Sequence, residues 1–193
     1  MKLATLFLVF VVWLCLLTML LRWMVGKDIL YEEPQLPQQR QTQVYVAKRQ
    51  KLEEKADHIL VLKSARLMHL MQGERVIKTY SIALGPNPEG HKTKEGDGCT
   101  PEGIYQIDSR NPESVCYLAL HISYPNGKDC ARAAALNLDP GKDIMIHGLP
   151  NAWGDVNYMP RQDWTLGCIA VNNDEMYEIW HAVDDGTWVE IRP

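Results

Sequence analysis

Residues 58–85 read HILVLKSARLMHLMQGERVIKTYSIALG, and the rest of the architecture is read from this stretch. Three short apolar-rich runs, HILVLK, RLMHLM and RVIKTYSIALG, are separated by Lys63-Ser64-Ala65 and Gln72-Gly73-Glu74, which carry turn chemistry. That pattern predicts a three-strand meander. A glycine- and proline-rich stretch follows at 85–103, and then YQI, VCYLALHISY, DIMIH and TLGCIAV read as further strands. KDCARAAAL suits a short helix. Met176, Ile179, Trp180 and Val183 recur at helical spacing, with Asn172 three residues before Glu175 as the expected N-cap, so a helix is expected over about 173–183. Asp185-Gly186 is expected to turn the chain into a last strand, TWVEIRP. Many short strands and two small helices predict a mainly β domain, a compact β-sandwich or barrel.

Toward the N-terminus the texture changes twice. Residues 47–56 (AKRQKLEEKA) suit a short charged helix, and 31–43 (YEEPQLPQQRQTQ) are rich in Pro and Gln, as in a linker or stalk. Leu3 to Leu21 is an unbroken uncharged run, and 19 helical residues rise about 28 Å, close to the ~30 Å hydrocarbon core of a bilayer. RWMVGKD follows without a small-residue cleavage site, so one uncleaved transmembrane helix is expected, the alternative being a long cleaved signal peptide. The expected divisions are an anchor at 1–26, a linker at 27–56 and a folded domain at 57–193. Lys2 precedes the span while Arg22, Lys27 and Arg40 follow it, which by charge alone favours a cytoplasmic C-terminal domain.

Composition excludes several classes. Apolar residues are 46% of the 193, too many for disorder throughout. Twenty basic against twenty-four acidic side chains leave no excess to neutralise phosphates, so no nucleic-acid partner is expected. Neither dinucleotide nor P-loop glycine fingerprints occur. Five cysteines without a C-x-x-C pair are no disulfide scaffold, and His121, Cys130, His147 and Cys168 have no recognised ligand spacing, so neither metal nor cofactor is expected. Two of Cys99, Cys116 and Cys130 suit a disulfide in an oxidising compartment, but one thiol would be left over, and no pairing is assigned.

Two residues have the chemistry to act together, His147 in IMIHGLPN and Cys168 in DWTLGCIAV. Strand alternation puts His147 on the Met145 face and Cys168 on the Ala170 face, opposite Ile144, Ile146, Ile169 and Val171. A thiolate is a strong nucleophile, and a neighbouring imidazole is expected to lower its pKa. The N–H groups of Gly167 and Cys168 suit an oxyanion hole, each donor typically worth about 2.7–4 kcal/mol. On residues alone, a structural cysteine and a core histidine remain open as the alternative.

IHG followed by T-L-G-C-I resembles the H-G…[ST]-x-G-C signature of the L,D-transpeptidase (YkuD-like) catalytic domain, with histidine before cysteine. Gly96, Asp97, Thr100, Pro101, Gly103 and Tyr105 resemble the family's G-D-x-x-T-P-x-G-x-Y segment, and the meander ending in Ala83-Leu84-Gly85 resembles its opening strands. The resemblance covers roughly 58–193. It implies an L,D-transpeptidase-type fold with Cys168 as nucleophile, His147 as base and later acid, Gly167 and Cys168 at the oxyanion hole, and Gly148 and Thr165 as residues that shape the site. Many members carry Ser-His-Gly-Cys and then an arginine that holds an acidic peptide group; here Leu166 and Ala170 stand at those places. Arg161 and Trp164, in the loop from Leu149 to Trp164, are candidate substrate contacts, and Trp153, Tyr158 and Trp164 suit either a lid or local packing.

The resemblance further implies peptidoglycan stem peptides as partners and transfer of an acyl group through a Cys168 thioester, giving 3→3 cross-links. Water as acceptor would make an L,D-carboxypeptidase, and a protein lysine an attachment or detachment enzyme. A wall substrate places the domain outside the cytoplasmic membrane, against the flanking charges. The rival of another class is a non-catalytic, membrane-tethered wall scaffold. A sortase-like reading fits TLGCIAV poorly, because there the cysteine falls one residue later and an arginine follows it. Nothing in the sequence fixes the oligomeric state.

Overall fold

Alternation in residues 56–81 builds three strands whose inward side chains form one apolar face. β1 (Ala56–Leu62) pairs antiparallel with β2 (Leu67–Gln72), with Ile59 opposite Leu70 and Val61 opposite Met68. β3 (Arg75–Ser81) continues the meander, with Met68 opposite Tyr80. All five of those side chains are buried. The computed structural model describes residues 51–154, 158–160 and 162–193, within a unit that spans Val46–Pro193. Among the described residues no helix is long and apolar enough to cross a membrane. The span expected at 1–26 and the stalk as far as residue 50 lie outside them.

The remaining strands extend this face from β1 in one direction. β8 (Val183–Arg192) lies parallel to β1, with Val189 beside Ile59, and β4 (Gly103–Ser114) runs antiparallel to β8, with Tyr105 opposite Val189. Beyond the bend in β4 come β5 (Tyr117–Ile122), β6 (Met145–His147) and β7 (Ile169–Ala170). The spatial order is β3-β2-β1-β8-β4-β5-β6-β7. Just past β3, Ala83 exchanges both backbone hydrogen bonds with Ala170 of β7, at 3.0 and 2.9 Å. The outer strands of the two edges therefore meet, and the expected sandwich or barrel is one curled eight-stranded sheet. Closing the edges in this way satisfies backbone groups that an open edge would leave unpaired.

The described residues hold two α-helices. α1 (Gly127–Ala135) starts at Asn126, and α2 (Asn173–Ala182) starts at Asn172; each start is a reciprocal capping box, with Asp129 and Glu175. Met176, Ile179 and Ala182 bury one face of α2. Two expectations are corrected. The charged helix expected at 47–56 is absent from residues 51–55. There Leu52 packs on the core, while Glu54 and Lys55 reach Arg75 and Asp184. The last strand also begins at Val183, directly after α2, and Asp185-Gly186 is a bulge inside it. Ala56 pairs with Val183 but His58 with Trp188, and Gly186 absorbs the excess residues at φ +87°.

Candidate active site

His147 and Cys168 reach one face of the sheet through β6 and β7. These strands are parallel, with Ile146 beside Ile169 and His147 beside Ala170. The same register sets Cys168 beside Met145. At about 4.8 Å between strands and 3.3 Å per residue, the Cα atoms of His147 and Cys168 are about 8 Å apart, diagonal neighbours on one face. Ile144, Ile146, Ile169 and Val171 point the other way into the core, as alternation predicts. The His147 ring is 7% exposed. Its Nδ1 donates to the Gly148 carbonyl at 2.7 Å, so in the neutral ring Nε2 keeps its lone pair. The ring of Trp164 meets it edge-on at 5.7 Å, and Trp153 tilts against Trp164 at 4.9 Å. Trp164, backed by Trp153, thus forms a wall beside the imidazole, whereas Tyr158 is exposed.

Gly148 holds the turn after β6 because nothing larger fits. A Cβ there would lie 2.6 Å from Asn173 Oδ1 and 3.0 Å from the Tyr117 side chain. The same Asn173 oxygen accepts from the Leu149 N–H at 2.8 Å, so the first turn of α2 fixes the exit of the histidine strand.

The turn before Cys168 is tied from three sides. Thr165 Oγ1 donates to the Cys168 carbonyl at 2.8 Å and accepts from the Gly167 N–H at 3.2 Å. Thr100 Oγ1 donates to the Gly167 carbonyl at 2.9 Å. Gly167 has φ +121°, and a Cβ on it would stand 2.6 Å from the Cys99 carbonyl. Gly85 approaches just as closely, its missing Cβ 2.1 Å from the Gly98 carbonyl. The G-D-x-x-T-P segment is therefore architecture that touches the turn before Cys168 through Thr100. Of the two expected oxyanion donors, the Gly167 N–H is engaged by Thr165.

Asp97 secures that segment. Burial alone would push its carboxyl up, but the Lys92 ammonium and the N–H groups of Lys94, Thr93 and Cys99 outweigh it and hold the group at about 2.

The electrostatics of the pair differ from the sequence expectation. Burial pushes the Cys168 thiol above its usual range, and a backbone hydrogen bond from Met145 opposes this without reversing it. Burial pushes the His147 imidazole down, with the Gly148 carbonyl working against the shift. Both shifts favour a neutral thiol beside a neutral imidazole rather than a preformed thiolate. The Sγ–H donates to the Asp143 carbonyl at 3.5 Å. On its open side Cys168 faces a cleft of about 450 Å³, rimmed by Leu166.

A strut that the sequence reading missed positions the loop between β6 and β7. Asp163 accepts from the Leu84 N–H at 2.9 Å, and Arg66 grips the same carboxylate, at 3.1 Å from Nε and 2.7 Å from Nη2. Two residues on, the Thr165 N–H bonds the Leu84 carbonyl at 3.0 Å. No motif carries Asp163; the one local signal is its place two residues before Thr165. Arg161 lies outside the described residues. Cys99, Cys116, Cys130 and Cys168 are all free thiols, and among the described residues no three His, Cys, Asp or Glu side chains converge to hold a metal.

Comparison with known proteins places the domain that carries this site. The family model for the L,D-transpeptidase catalytic domain, YkuD, matches residues 56–191. The Escherichia coli strain K12 protein named "Putative L,D-transpeptidase YafK" is 30% identical over 126 residues, which cover 64% of this chain and 42% of YafK. The chain thus matches less than half the length of that relative. Among solved structures, the helical cell shape determining protein Pgp2 of Campylobacter jejuni superposes with a TM-score of 0.54 at 23% identity, over 76% of this chain and 53% of Pgp2. A point variant of Pgp2 superposes at 0.55 with 22% identity, over 81% of this chain and 57% of that one. At this identity the structural likeness speaks for the fold alone.

Proposed function

This chain belongs to the L,D-transpeptidase catalytic-domain family, and from that premise we propose that it is a cysteine acyltransferase acting on peptidoglycan stem peptides. The observation that carries this reading is the placement of His147 and Cys168 on one face of β6 and β7, with Nε2 of the imidazole free to take a proton.

The neutral pair sets the order of events. As Cys168 Sγ attacks the carbonyl that joins the diamino acid at position 3 to D-Ala at position 4, His147 Nε2 takes the thiol proton. The Cys168 N–H donates to the developing oxyanion. His147 returns the proton to the departing amine, and D-Ala leaves a thioester on Sγ. An amine from a second stem then attacks the thioester, His147 takes its proton, and the regenerated thiol receives it. Buried wall residues keep the imidazole neutral and ready as a base. We place the domain outside the cytoplasmic membrane, tethered by residues 1–26; a C-terminal reporter active only in the cytoplasm would reverse this topology.

The test is intact-mass analysis of the full-length chain exposed to a carbapenem, whose strained carbonyl acylates an activated thiol, beside Cys168→Ala. A stoichiometric adduct that the variant lacks, with D-Ala release from purified muropeptides, is expected. Full activity in Cys168→Ala would sink the mechanism, and an unreactive wild-type thiol with unchanged muropeptides would favour a scaffold.

A further inference from the structure

The surroundings of Cys168 are charged differently on its two flanks. On one flank is the 450 Å³ cleft, whose charged lining is Lys92, Glu95, Lys142 and Asp143. Lys92 is committed: it is 3% exposed, and its Nζ lies 2.9 Å from Asp97 Oδ1 and donates to the Lys94 carbonyl at 3.0 Å. Lys142 is not. Its side chain is 79% exposed, and its nearest carboxylate, Asp143, stands 4.0 Å away, beyond hydrogen-bond length.

On the other flank is a groove of about 510 Å³ lined by Asp108, His121, Asp143 and Met145. His121 Nδ1 lies 2.5 Å from Asp108, and its Nε2 lies 3.9 Å from Asp143. The first flank is balanced in charge and offers one free ammonium. The second carries two carboxylates around one imidazole. His121 and Met145 are register partners, and Met145 is beside Cys168, so both flanks open on the same face as the nucleophile.

We propose that Lys142 binds the free terminal carboxylate of the acyl donor's leaving residue and so sets which way the donor lies across Cys168. This rests on the acyl-transfer reading above. In that reaction the leaving amine belongs to a terminal amino acid, and its carboxylate is two bonds from the scissile nitrogen. The acidic groove repels such a carboxylate, whereas the Lys142 ammonium offers it three N–H donors. The flexible stem lets the ammonium follow the carboxylate as the tetrahedral intermediate forms. Lys142 is a specificity residue in this scheme and takes no part in proton transfer.

The experiment uses the full-length chain and two stem tetrapeptide donors, one ending in a free carboxylate and one in a carboxamide. Release of the terminal residue is followed for wild type, Lys142→Gln and Lys142→Arg, with a thermal melt of each. For the carboxylate donor, Lys142→Gln is expected to raise KM roughly 5- to 10-fold with kcat within about twofold, the scale of a partly exposed charge-assisted contact. Lys142→Arg is expected to recover most of the loss, and the carboxamide donor to be handled alike by all three. Equal KM values for wild type and Lys142→Gln on the carboxylate donor, or an equal loss on both donors, would overturn the Lys142 assignment alone. A wild-type chain that releases neither residue would overturn the acyl-transfer reading and this proposal with it.

Discussion

β1 pairs with β8 along most of its length, from Ala56 beside Val183 to Leu62 beside Arg192, whereas β6 and β7 meet only at Ile146 beside Ile169 and His147 beside Ala170. In the long-stranded half, register is fixed by alternation, because a slip of one residue would turn Ile59, Val61, Met68 and Leu70 to solvent. In the short-stranded half there is too little strand to specify anything. Its geometry is held by side chains on backbone: Thr100 on Gly167, Thr165 on Cys168, Asn173 on Leu149, and Asp163 on Leu84. One half therefore stores stability, and the other spends backbone regularity to aim a thiol and an imidazole.

That contrast is open to direct attack. His147→Gln removes the base and keeps the volume; D-Ala release should slow by roughly 10²–10⁴-fold with the melting temperature nearly unchanged. In wild type, the acid limb of kcat/KM should lie below pH 6.5, the ordinary imidazole value, since burial holds His147 lower. Leu70→Ala, in the long-stranded half, should cost about 2–5 kcal/mol of stability by denaturant melt, while the folded fraction keeps its turnover. A Leu70→Ala chain that melts normally but has lost catalysis would erase the distinction between the halves.

Smaller changes sharpen it. Thr100→Val deletes the donor to the Gly167 carbonyl, and about 0.5–1.5 kcal/mol is expected in stability. Because that bond shapes the turn before Cys168, acylation by a carbapenem should slow by roughly tenfold, as a misaimed Sγ loses about 1.4 kcal/mol at the transition state. An unchanged acylation rate would show that the turn holds itself. The remaining effect is expected at Asp97 and is confined to stability. Its folded value of about 2 is below the ordinary 3.8, so its contribution is present above 3.8 and is lost as pH falls toward 2. Asp97→Asn should flatten the acid-unfolding curve in that window and leave stability near pH 5 and above uniformly lower.

How much of this was legible follows the same division. The meander, the inward faces of Ile144, Ile146, Ile169 and Val171, and the capping box at Asn172 are local patterns, and periodicity reads them correctly. The expected helix over 47–56 failed for residues 51–55 because Leu52 and the charges of Glu54 and Lys55 find partners on the sheet, which outweigh a weak helical propensity. The Asp185-Gly186 turn became a bulge because β8 finds its partner β1 as soon as α2 ends. The lowered thiol pKa was expected from proximity to an imidazole, but burial pushes the thiol the other way. Asp163 and Arg66 are 97 residues apart, and no periodicity links them.

The sequence by itself determined which faces of the strands that hold His147 and Cys168 enter the core, because that is written in residue type and in a period of two. Tertiary structure decided the rest. It joined the sheet's two edges at Ala83 and Ala170, set Thr100 against Gly167, and buried the Cys168 thiol and the His147 imidazole on one face with an exposed lysine on one flank. These depend on which distant segments share space, and so on desolvation and charge that exist only once the sheet has curled.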